Sequence, residues 1–141
     1  MKSCLTFIVT AIAVAGCTSD IVTSRYATLA EARADHLFER GWLPDVLPPS
    51  ARNIRTTNNV DLNTSVGEFE VSTSDLPLLE SKVQPLAKLA SPFTDEFERE
   101  IRTHVKSGGL AYQYTKEPYT WAFLCSPVDG RCEYTMWPVR L

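Results

Sequence analysis

Imidazole, carboxylate and thiol are the groups with which this 141-residue sequence would have to run a reaction. It holds two histidines. His36 falls on the polar side of a helical pattern, the place of a solvated ring. His104 falls beside an apolar stripe near the end of a second helical pattern, and two readings stay open for it. It is a partly buried ring bonded to a neighbour, or a general base that needs a carboxylate from another element. The run Asp95, Glu96, Glu98 and Glu100 has the residue types of a paired-carboxylate hydrolase. On a helix those positions spread around the first turns beside Arg99 and Arg102, where negative charge suits the positive end of the helix dipole. Asp61 and Asn63 offer two oxygen ligands, fewer than a calcium loop needs, and read as the end of a strand. Ser107-Gly108-Gly109 follows a helix and does not open one, so it is a stop and not a phosphate cradle. No serine stands in a Gly-x-Ser-x-Gly context. Nothing in these patterns asks for a metal or a cofactor.

The four cysteines divide by position. Cys4 lies in an N-terminal targeting segment. Lys2 gives that segment its positive start, and Leu5 to Ala15 form an apolar stretch of about eleven residues, short of the ~20 that span a bilayer. Val14-Ala15-Gly16-Cys17 closes it and resembles the lipobox of bacterial lipoproteins. The resemblance implies a diacylglyceryl thioether on Cys17, cleavage before it and acylation of the new N-terminus. Each buried CH₂ adds ~0.8 kcal/mol, so two or three acyl chains hold where one does not. Thr18 follows Cys17 where an Asp would argue for retention, which favours the outer membrane and a periplasm-facing body in a Gram-negative host. Cys125 and Cys132 enclose Ser126 to Arg131, which reads as a hairpin turn. In an oxidising compartment they are expected to form a disulfide. A metal site would need histidines nearby, and His36 and His104 are remote in sequence.

Residues 1–16 are therefore read as a lipoprotein signal peptide, 17–25 as a lipidated tether and 26–141 as a single globular domain. Removing the signal leaves 125 of the 141 residues, enough to bury a core. The formal charge of −3 becomes −4 when Lys2 leaves. A mildly acidic body without a Lys/Arg run has no electrostatic case for nucleic acid. The expected partners are the membrane, through the lipid, and an envelope protein.

Thr28 and Glu31 make a capping box, and apolar Ala30, Ala34, Leu37 and Phe38 recur at helical spacing up to Gly41. Trp42 to Ser50 contains three prolines and reads as an extended cover with Trp42, Leu43, Val46 and Leu47 turned inward. Asn53 to Leu62 and Gly67 to Ser72 read as strands, with Ile54, Val60 and Leu62 on one side and Thr56, Asn58, Glu68 and Glu70 consistent with exposed edges. A short helix is expected from Ser74 to about Val83. Thr94 to Ser107 is the clearest helix, capped by Thr94, with Phe97, Ile101 and Val105 as its buried stripe. The last third alternates as strands. Bonded hairpin cysteines must share a face, so Cys132, Tyr134 and Met136 join Trp121 and Phe123 on an apolar side, opposite Thr120, Arg131, Glu133 and Thr135. The expected fold is α+β: an antiparallel sheet of about five strands, two or three helices packed on one face, and a C-terminal disulfide-linked β-hairpin.

Trp42 and Trp121 read as core. Trp137 projects from the wet side and has two readings, a second small core or a contact surface. The candidate contact surface is Trp137 with Val128 and Asp129 at the hairpin tip.

Tyr26-Ala27-Thr28-Leu29-Ala30-Glu31-Ala32, then Gly41-Trp42-Leu43-Pro44, Leu47-Pro48-Pro49-Ser50-Ala51 with Ile54, then Asp61, Asn63 and Gly67-x-Phe69 together resemble small bacterial proteins of the YbbD-head-like group. The resemblance covers roughly the first half of the mature domain. The group has no assigned activity, so it implies a recurring folded unit and transfers no catalytic residue. The leading expectation is a lipid-anchored periplasmic binding or accessory module. The alternatives are an inhibitor or immunity-like protein of an envelope enzyme, and an envelope hydrolase built on His104.

Overall fold

The computed structural model describes residues 20–86 and 95–139. The targeting segment with Cys17, and Thr94 with its expected cap, lie outside the described residues. The elements are β1 (Ile21–Thr28), α1 (Leu29–Ala34), β2 (Arg52–Asn59), β3 (Thr64–Glu70), a 3-10 turn (Thr73–Asp75), α2 (Leu76–Glu80), β4 (Gln84–Pro85), α3 (Asp95–Lys106), β5 (Leu110–Lys116), β6 (Tyr119–Cys125) and β7 (Arg131–Pro138). The seven strands form one antiparallel sheet in the order β1-β2-β3-β7-β6-β5-β4. The α+β class stands, and the expected five strands become seven. The added strands are the edges: β1 includes Ile21 to Arg25, which the sequence assigns to the tether, and β4 is two residues long. Neither has the apolar alternation that identifies a half-buried strand.

One face of the sheet is dry. Cys125 and Cys132 are cross-strand partners joined by a disulfide, and Phe123 and Trp121 on β6 face Tyr134 and Met136 on β7. All six are buried. The register argument from the cysteines therefore holds. Phe69 meets Phe123 edge to face at 6.1 Å, a favourable aromatic geometry. Over this face lie Ala32 of α1, Leu37, Leu43, Val46 and Leu47 of the connecting segment, and Leu76 and Leu79 around α2.

Several local expectations change. The capping box starts α1 as expected: Thr28 accepts from the Glu31 amide at 3.2 Å and Glu31 accepts from the Ala27 amide at 2.7 Å. The helix ends at Ala34 and not near Gly41, because His36 takes φ 56° and breaks the ladder. Tyr26 donates to Asp35 at 2.5 Å and Arg40 donates to the same carboxylate, which holds the turn. Leu37 is buried all the same. On β2 the inward residues are Ile54, Thr56 and Asn58, whereas Val60 and Leu62 lie in the following turn and are exposed. Thr56 and Asn58, expected at the edge, are interior because their hydrogen bonds are met there. Ser65 Oγ donates to Asn58 Oδ1 at 2.7 Å, which leaves the Tyr134 hydroxyl as donor to Ser65 at 2.9 Å. Among the described residues no buried side-chain polar atom lacks a partner, as a stable polar core requires.

The helices also divide between the two faces, where one face was expected. α1 and α2 cover the dry side, while α3 lies over the reverse side above Ala122 and Leu124. None of its residues is fully buried, and Val105 of its expected stripe is half exposed. α3 is a partial cover, and a groove remains beside it.

Candidate functional site

The reverse face of the sheet carries charge in rows. Cross-strand pairing sets Arg25 beside Arg55, Arg55 beside Glu68, Glu68 beside Glu133, and Glu133 beside Leu124. A second row sets Arg52 beside Glu70 and Glu70 beside Arg131. The first row has a cationic half and an anionic half, with like charges adjacent twice. Like charges directly opposite on paired strands destabilise a sheet. The ion pairs across the row are long, Arg55 to Glu68 at 3.8 Å and Arg52 to Glu70 at 3.3 Å, and their side chains are 32–47% exposed. Such pairs contribute ~0–1 kcal/mol each. This face is therefore arranged in a way that folding stability alone does not favour.

α3 turns Glu100 and His104 toward these rows. The groove between helix and sheet has a volume of about 620 Å³ and is lined by charges of both signs, among them Arg25, Arg55, Arg131, Glu68, Glu100 and Glu133. A shallower hollow of about 410 Å³ shares Arg55, Glu68, Glu100 and Glu133 and continues past Phe97 and Val66. Among the described residues no group of three His, Cys, Asp or Glu side chains is placed to hold a metal ion.

His104 lies at the groove wall. Its Nε2 is 3.2 Å from the Leu110 carbonyl and 3.0 Å from the Cys125 carbonyl, so the ring donates to the start of β5 and the end of β6. This is the bonded, partly buried histidine of the two readings. It fastens the end of α3 to the sheet. Gly109 makes that approach feasible, since a Cβ there would lie 2.2 Å from Nε2. The sequence reading of Ser107-Gly108-Gly109 as a helix stop is right in kind but misses this second role. His36 is exposed in its turn, with Nδ1 4.0 Å from Glu39. Asp61 and Asn63 belong to a turn in which Leu62 donates to Asn59 Oδ1 at 3.0 Å, and Asn63 takes φ 51°.

The hairpin tip closes one end of the groove. Val128 is 87% exposed. Asp129 accepts from the Arg131 amide at 3.1 Å, and that hydrogen bond, with one from Ser126, holds its carboxyl below the usual carboxylate range. Gly130, at φ 73°, accepts from the Val71 amide at 2.9 Å, and a Cβ there would lie 1.9 Å from the Val71 carbonyl oxygen. The tip is thus docked on the chain leaving β3. Trp137 is only 5% exposed and sits outside the main core cluster. Its burial favours the second-core reading over the contact-surface one, and Val128 and Asp129 lie exposed at the tip.

Arg25, Arg55, Glu68 and Glu133 are the groove residues that pattern reading missed as a group. Their outward parity was visible for Glu68 and Glu133. What brings them together is the order of strands, in which β7 returns to lie beside β3. The comparisons with known proteins bear on half of this surface. No curated protein and no solved structure matches the chain. Residues 20–70 match a family model, and they include β1 to β3, hence Arg25, Arg55, Glu68 and Glu70 of the groove. Glu100, Asp129, Arg131 and Glu133 come from outside that segment. That family is the YbbD head domain, to which residues 20–70 of this chain are similar.

Proposed function

We propose that the protein is a lipoprotein anchored by Cys17 in the outer membrane of a Gram-negative cell, facing the periplasm, and that it works as a binding or accessory module through the charged groove. The observation that supports this reading is the row Arg25-Arg55-Glu68-Glu133, which keeps like charges adjacent on an open surface. Such a row complements a partner that carries both signs of charge, and complementary charge across an interface selects partners and speeds encounter. A polypeptide segment of mixed charge in the envelope is the partner class that fits. The hydrolase alternative has less support, because His104 spends Nε2 on two backbone carbonyls.

The inhibitor or immunity-like reading draws on one observation, the docked hairpin tip with Val128 87% exposed. Capture of partners from envelope extract by the full-length protein separates the two. Arg55→Glu is expected to lose the partner that wild type retains, and Val128→Ser to keep it. The reverse pattern assigns the contact to the tip. No captured protein in any sample counts against both.

A further inference from the structure

The start of β1 and the turn between β2 and β3 form one tip of the sheet, where the Val60 amide donates to the Asp20 carbonyl at 2.9 Å. Ile21, Val22, Val60 and Leu62 are gathered there, 55%, 46%, 50% and 64% exposed. Turns are ordinarily polar, and clustered exposed apolar side chains mark an interaction site. The covalent chain narrows what that site meets. Four residue steps separate Cys17 from Ile21, and an extended chain covers at most ~3.6 Å per step, or about 14 Å. A lipid on Cys17 therefore brings this tip to the bilayer surface.

We propose that the Ile21–Val60–Leu62 tip docks into the interface of the bilayer that holds the Cys17 acyl chains; this rests on the reading of Cys17 as lipidated. Apolar side chains bound at an interface sit roughly 5–10 Å into the headgroup and acyl boundary. The charged residues within the described part of the two tip segments are Asp20 and Asp61, so apolar burial and not attraction to anionic lipid drives the docking. The register puts Ser65 beside Met136 and Glu70 beside Arg131, so the hairpin tip at Val128 and Asp129 lies at the opposite end of the sheet. Docking thus turns that end, and the groove mouth beside it, toward the periplasm.

The full lipidated chain, reconstituted into phosphatidylcholine vesicles with spin-labelled acyl chains, tests this. Flotation is scored first, then quenching of a tryptophan introduced as Leu62→Trp or Val128→Trp, relative to the wild-type signal. Both variants are expected to float. The emission that Leu62→Trp adds to that of the three native tryptophans is expected to be quenched, as for a side chain at the acyl boundary, with that added by Val128→Trp unaffected and no change in high salt. Flotation with Leu62→Trp unquenched overturns the docking and leaves the anchor standing. Failure to float overturns the anchor and the docking with it.

Discussion

Glu133 and Tyr134 are neighbours in β7 and live in opposite media. Tyr134 is 3% exposed, tilted against Phe123 at 6.3 Å and hydrogen-bonded to Ser65. Glu133 lies on the reverse face, beside Glu68 and beneath Glu100. The same alternation divides β2, where Ile54 and Thr56 are sealed while Arg55 between them faces the groove. On the dry face no buried side-chain polar atom among the described residues lacks a partner, and Phe69, Phe123 and Tyr134 pack ring against ring, so its residues are fixed by packing. On the charged face the pairs are long and half solvated, so their arrangement answers to something other than stability. The lesson is that one sheet separates the two tasks by residue parity, and substitutions on alternate positions should have effects of different kinds.

The largest expected effect on stability comes from the dry side. Phe123→Ala opens a cavity between Phe69 and Tyr134, and loss of a buried ring costs ~3–5 kcal/mol, measurable by urea unfolding. A loss under 1 kcal/mol would mean that this face is not the packed core. Next comes the disulfide. Closing so short a ring contributes about 2.5 kcal/mol on the chain-entropy model, so Cys125→Ala with Cys132→Ala should lower the unfolding midpoint while leaving the sheet's circular dichroism in place.

Tyr134→Phe is smaller and sharpens the comparison through pH. Burial raises the Tyr134 hydroxyl well above its ordinary value, and burial with the Glu80 hydrogen bond does the same for Tyr112. For a group raised on folding, stability is complete below the unfolded value of ~10 and is lost as pH climbs above it. Wild type should weaken steadily from about pH 10 upward. Tyr134→Phe should start ~1–3 kcal/mol lower, from the lost hydrogen bond to Ser65, and then fall less steeply. An unchanged alkaline slope would place Tyr134 in water.

The parity of the last three long strands, the dry face and the cysteine pair were legible in the sequence because, Trp137 apart, the aromatic residues there alternate. β1 was not legible, since its outward residues are as apolar as its inward ones and only pairing with β2 makes it a strand. Thr56 and Asn58 misled for a related reason: a polar residue reads as exposed until its partner, here Ser65 on the next strand, is known. The groove stayed hidden because its two halves lie in β1 to β3 and in β7 with α3. Strand order joins them, and periodicity carries no information about strand order. Val128 and Asp129 are exposed as a hairpin tip should be, while Trp137, on the outward parity, is buried, because parity alone does not fix exposure.

The smallest effect on stability and the largest on function should coincide in Arg25→Glu with Arg55→Glu. Each replaces a half-exposed cation, and surface charges of this kind change stability by about 1 kcal/mol or less. The direct measurement is capture of envelope proteins by this double variant beside wild type, with thermal melts of both. The account predicts melting within a few degrees of wild type and loss of the captured partner. Undiminished capture by a folded double variant would contradict it.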